Sequence, residues 1–175
     1  MKKFLLFLSF ILLSTVTVKS QIRLDSFIVD TPITDLKDIE KYFPGDFGDE
    51  LSSCCLKYDT GGRTIIIKLV KLRGSNVTGI LKQIDSLGFK PVPTPYLLGL
   101  GMKYSYSKMF CDSKNHLGWP DIISLDTNNI CFSKTMSENS FIYLTGHSGP
   151  GITIGKVRFS IIFHPKEWSF AVMKK

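Results

Sequence analysis

The stretch that most constrains the fold is residues 64–72, TIIIKLVKL. It is rich in β-branched side chains and almost continuously apolar, the pattern of a central strand covered on both faces of a sheet. Such a strand needs a packed layer on each side, and the chain supplies one at once. Val77, Ile80, Leu81, Ile84 and Leu87 fall on one stripe at helical spacing. Ser75 or Asn76 stands at the N-cap position, and Gly88 stands where such a helix stops. Asn76-Val77-Thr78 also fits a glycosylation sequon, but in this position it reads first as a helix start.

The remaining segments extend that pattern. Residues 21–29 alternate loosely and predict a strand, broken at Thr31-Pro32. Leu36, Ile39, Tyr42 and Phe43 predict a helix over residues 35–43, with acids in its first turn where the helix dipole favours them. Prolines hold the start of FKPVPTPYLLGLG (89–101) extended, and its second half predicts a short helix with Pro95 in the first turn. Short strands are expected over 121–126, 130–134, 141–145, 153–163 and 168–173, with Asn128-Asn129 as a hairpin turn between the first two. The expected class is α+β: two or three helices packed on an antiparallel sheet built mainly from the C-terminal half.

The N-terminus addresses the chain for export. Met1-Lys2-Lys3 precedes an apolar run, FLLFLSFILL, and Val18 and Ser20 are the small residues a signal peptidase needs. Residues 1–20 are therefore expected to be a signal peptide cut before Gln21, which leaves about 155 residues, secreted or periplasmic, with no membrane span. An acidic N-terminal extension over 21–62 and an α+β domain over 63–175 are the expected divisions. Residues 21–62 hold four basic and nine acidic residues, net −5; residues 63–175 hold fifteen and six, net +9. That asymmetry fits either an acidic arm lying on a basic body or a partner that is an anionic polymer, such as a polysaccharide or nucleic acid, a membrane surface or a protein. The lysines form no run and no helix face, and no aromatics alternate with them, so nucleic acid is not an expected partner.

Cys54, Cys55, Cys111 and Cys131 are expected to form disulfides in an oxidising compartment, in one of three connectivities. Cys111 with Cys131 is the favoured local pair, closing a loop of about 20 residues that the chain-entropy model values at roughly 3 kcal/mol. The pairing of Cys54 and Cys55 is open. No C-x-x-C pair or histidine at ligand spacing points to a metal, and no cofactor motif is present.

Candidate chemistry is sparse. LTGHSGPG (144–151) superficially suggests a hydrolase nucleophile turn, but the second glycine of that motif is missing after Ser148 and a strand-like run follows. It reads instead as a loop, and glycine-rich exposed loops are where binding residues concentrate. His147 and Ser148 in this loop, with His116 and Trp119 in an earlier one, are the candidate binding residues. Asp112, Asp121 and Asp126 lack the alternating spacing of a calcium loop. Trp119, Trp168, Tyr104, Tyr106 and Tyr143 are either a ring-stacking surface or half-buried core, and core is the commoner fate.

GFKPVPTPYLLGLG (88–101), Pro120 with Ile122, Ile123 and Leu125, and SFAVMK (169–174) together resemble a short C-terminal module of uncharacterised bacterial and phage proteins. The match spans roughly residues 81–175. That layout in turn resembles C-type-lectin-like and formylglycine-enzyme-like domains, and so implies a compact C-type-lectin-like fold as the alternative architecture. An acid usual in the module's second helix is replaced around Tyr96, and the calcium signals of sugar-binding lectins are absent, so the resemblance implies a fold and no activity. The expectation is a small exported globular protein, a non-enzymatic binding or interaction module. A hydrolase acting on cell-wall or carbohydrate material, and a structural envelope component, are the alternatives.

Overall fold

A computed structural model of the chain describes residues 26–43, 63–73, 76–104, 121–133, 138–146, 152–161, 163 and 168–175. Among them are the strands β1 (Ser26–Val29), β2 (Ile65–Val70), β3 (Phe89–Pro91), β4 (Asp121–Ile123), β5 (Cys131–Ser133), β6 (Glu138–Thr145), β7 (Thr153–Arg158) and β8 (Trp168–Lys174). The helices among them are α1 (Leu36–Tyr42), α2 (Val77–Ser86) and α3 (Thr94–Lys103). The class is α+β, with most strands in the C-terminal half. No helix among the described residues is long and apolar enough to cross a membrane.

One sheet holds all eight strands. Its path runs β1-β2-β8-β4-β6-β5, with β3 also on β8 and β7 also on β6. Val172 faces Lys68 of β2 and Pro91 of β3, while Phe170 faces Val70 of β2 and Ile123 of β4. So β8 carries β2 on one edge, and β3 and β4 end to end on the other. By the same argument β6 carries β7 on one edge, and β4 and β5 on the other. The sheet therefore forks where β3 and β5 part. Pairing among the described strands is antiparallel, as expected, except between β4 and β8, which run parallel. The expected hairpin across Asn128-Asn129 is also absent: a turn forms there, but β4 and β5 both pair with β6 rather than with each other.

Alternation along the strands sorts side chains to two cores. Phe27, Ile67, Ile122, Leu144 and Ala171 face α1 and α3; Val70, Ile123, Phe141, Phe170 and Val172 face α2. The run in β2 is therefore covered on one face throughout, but on the other only at its C-terminal end. Ile66, beyond the reach of α2, is 55% exposed.

The helix boundaries follow local chemistry. In α1 the Asp35 carboxylate caps the N-terminus, accepting from the Lys37 N–H at 2.9 Å. In α2 the Asn76 side chain accepts from the Gly79 N–H at 2.8 Å, and Gly88 with φ of 77° takes the left-handed turn that ends the element. Val77, Ile80 and Ile84 are buried, while Leu87 of the expected stripe lies exposed past the helix end.

In α3 every residue from Thr94 through Gly101 is buried, so it is a core helix rather than an amphipathic one. A side chain at Gly99 would collide with the Thr31 carbonyl oxygen, so glycine there permits the chain before α1 to cross close against the helix. The cap of α3 comes from elsewhere in the chain. The Asp126 carboxylate accepts from the Thr94 N–H at 2.8 Å, from Asn129 Nδ2 at 2.6 Å and from the Asn128 N–H at 3.1 Å. Ser124 Oγ donates to the Val92 carbonyl beside it. These groups, drawn from the β3–α3 connection, the start of α3 and the β4–β5 connection, hold together the region where the sheet divides.

The outer strand β1 is clamped by the end of α3. Tyr104 accepts from the Ile28 N–H at 3.0 Å and donates to the Ile28 carbonyl at 2.9 Å, while its ring meets Phe27 edge-on at 4.9 Å. One hydroxyl thus occupies both outward groups of Ile28 on a strand whose partner among the described residues is β2, which blunts the edge against strand addition. Next to it Lys103 bridges Asp30 at 2.9 Å, and this hydrogen bond holds the Asp30 carboxyl below its ordinary range. Tyr104→Phe is expected to cost about 1 kcal/mol in urea unfolding and to raise the aggregated fraction on storage, measured by light scattering. A variant as stable and as monodisperse as the parent would remove the edge-capping role.

Candidate functional site

The parallel pairing of β4 with β8 decides which segments meet. Asp121 begins β4 opposite Trp168, which begins β8; one step across, β6 ends at Thr145 opposite Thr153, where β7 begins. Four strand ends thus lie at one end of the sheet. The segments that attach there are residues 105–120, which hold His116 and Trp119, residues 147–151, which hold His147 and Ser148, and residues 164–167, which hold His164. All these histidines, with Ser148 and Trp119, lie outside the described residues, as do Tyr106, Asp112, Cys54, Cys55 and Cys111. What the fold brings together is their points of attachment: Asp121, Gly146, Ile152, Phe163 and Trp168.

The floor of this end is aromatic. Trp168 is buried and meets Tyr143 edge-on at 5.1 Å and Phe163 at 5.4 Å. The Tyr143 ring lies over Gly155, where any Cβ would collide with it, so the glycine makes the seat for the ring. Tyr143 is half-buried, and its phenol sits near the Asp121 carboxylate. Burial first, and then the negative charge of Asp121, push the Tyr143 pKa above its ordinary value. The arrangement offers a ring face, a neutral hydroxyl and a carboxylate within one small area.

The sign of that shift gives a pH dependence. The unfolded phenol ionises near 10.0 and the folded one higher, so the contribution is complete below pH 10 and is lost as pH rises through the folded value. Thermal stability of the parent is expected to fall more steeply above pH 10 than that of Tyr143→Phe. Parallel curves for the two proteins would contradict the assignment.

Of the five aromatics weighed as a stacking surface, Trp168 is core, Tyr104 clamps β1 and Tyr143 is half-buried at the site. Asp121 and Asp126 part company: Asp121 is at the sheet end, and Asp126 caps α3. Cys131 is 1% exposed in the core under α3 and is disulfide-bonded, its partner lying outside the described residues. Among the described residues no group of three histidine, cysteine or acidic side chains is placed to hold a metal ion. Sequence reading missed Tyr143 and Gly155 as a unit, because they come from different strands and only the register unites them. Searches against family models, curated proteins and solved structures match nothing to this chain.

Proposed function

We propose that the chain is an exported binding or interaction module, non-enzymatic, with its contact surface at the sheet end around Asp121 and Tyr143. The observation that carries this reading is convergence: the segments bearing His116 and Trp119, and His147 and Ser148, both join the sheet beside that half-buried ring and carboxylate. Scaffold-borne loops over a rigid aromatic floor are a common form of recognition surface. The net +9 of residues 63–175 favours an anionic polymer or an acidic protein face as the partner. The export leader supports a secreted or periplasmic setting, and the oxidised state of Cys131 is consistent with it. Within that setting Cys111 is the proposed partner of Cys131.

The test is co-sedimentation of the chain from Gln21 to Lys175 with purified insoluble cell-wall polymer. Retention in the pellet with the polymer intact is the expected result. Asp121→Asn and Tyr143→Phe, which remove a charged acceptor for the polymer's neutral hydroxyl or amide donors and a hydroxyl, are each expected to weaken retention about tenfold. Release of soluble fragments would make the protein a hydrolase instead, and retention unchanged in both variants would move the surface elsewhere.

A further inference from the structure

At the opposite end of the same sheet lies a second surface, independent of the site above. On the α2 side, Ile28 of β1 pairs with Ile66 of β2, and both are more than half exposed, at 52% and 55%. Extending the β2–β8 register by two residues sets Ile66 level with Lys174, which faces Phe89 of β3. One row across four strands therefore reads Ile28, Ile66, Lys174, Phe89. In the row behind it, Lys68 lies over the Phe89 ring at 5.7 Å. Phe89 then opens into a groove of about 420 Å³ between α2 and β3, where Lys82 stands at the rim.

The unpaired charges in this area are basic. Lys68, Lys82 and Lys174 carry no ion pair among the described residues, and the one acid of the groove, Asp85, is already bound by Lys175 at 2.5 Å. Exposed isoleucines set among uncompensated lysines are the chemistry of an interfacial surface: the apolar groups enter the acyl boundary and the ammonium groups meet acidic headgroups. A second copy of the chain would bring lysine against lysine, and the β1 edge alongside is closed by Tyr104. A plain polysaccharide would leave Ile28 and Ile66 in water.

We propose that this face docks on a lipid bilayer bearing acidic headgroups, which turns the Asp121–Tyr143 end of the sheet away from the membrane. The test uses vesicles of phosphatidylcholine alone or mixed with phosphatidylglycerol, pelleted with the chain from Gln21 to Lys175. Binding is expected to the mixed vesicles and to fall with added salt, with little on phosphatidylcholine alone. Lys68→Glu with Lys174→Glu is expected to reduce it at least tenfold, and Ile28→Ser with Ile66→Ser about tenfold. All four positions are at least partly exposed, and unchanged thermal melting of each variant separates lost docking from lost folding. As a second readout, Ile66→Trp is expected to give an emission blue shift on the mixed vesicles. Equal binding to both vesicle types, or binding that survives both pairs of substitutions, overturns the proposal. So does capture of soluble polyglutamate by the same residues without vesicle binding, which would make the partner an acidic polypeptide.

Discussion

Asp126→Ala is expected to be among the most damaging single substitutions, costing about 3–5 kcal/mol for the buried donors it leaves unsatisfied. The carboxylate is 6% exposed and satisfies three donors at once: the Thr94 N–H at the start of α3, the Asn128 N–H and the Asn129 side chain. Alanine returns none of these bonds, and Thr94 and Asn129 are themselves buried at 2% and 4%, so water does not replace the acceptor. Pro93 at the N-cap offers no side-chain acceptor, which leaves α3 without a cap in the middle of the core. Asp126→Asn keeps one acceptor oxygen and is expected to lose about half as much. Urea unfolding of the three proteins makes the comparison, and a loss under about 1 kcal/mol for alanine would show that the network is dispensable.

Phe170→Ala is expected to cost about 3–5 kcal/mol as well. Phe170 is 1% exposed at the middle of β8, between Val70 on β2 and Ile123 on β4. Its ring meets Phe163 edge-on at 5.3 Å and shares a core with Ile80 and Ile84 of α2. The cavity would lie under α2 and against the floor of the candidate site, because Phe163 also supports Trp168. Unfolding in urea, followed by tryptophan emission, is the measurement. A loss below about 1.5 kcal/mol would mean that the core repacks around the gap and that Phe170 is no keystone.

Local signals are legible in the sequence and long-range ones are not. The cap and stripe of α2 and the acid-started α1 are each fixed by residues within one or two turns, and each forms where its residues place it; the Leu-Leu-x-Leu-Gly helix also forms where expected, but Asp126, far along the chain, supplies its cap. The turn at Asn128-Asn129 was also legible. Its outcome was not, because Asp126 is drawn to the N-terminus of α3 and β6 pairs with the strands on both sides. Nor does any spacing announce that β4 and β8 run parallel, with 46 residues between Asp121 and its partner Trp168. The candidate site inherits that limit. His147, Ser148, His116 and Trp119 stood out as polar or aromatic residues on loops, whereas Asp121, Tyr143 and Gly155 gain meaning from strand register. The exposure of Ile66 has the same origin: an apolar run looks the same whether or not a helix reaches over its whole length.

The central claim is that recognition takes place where those strands end, and the most direct measurement is a nitrogen–proton NMR titration. The labelled chain from Gln21 to Lys175 is titrated with soluble fragments of the cell-wall polymer. Shift changes concentrated at Asp121, Tyr143, Gly146 and Trp168 are the expected result. Changes confined to the Ile28–Ile66 surface, or no changes anywhere at saturating polymer, would contradict it.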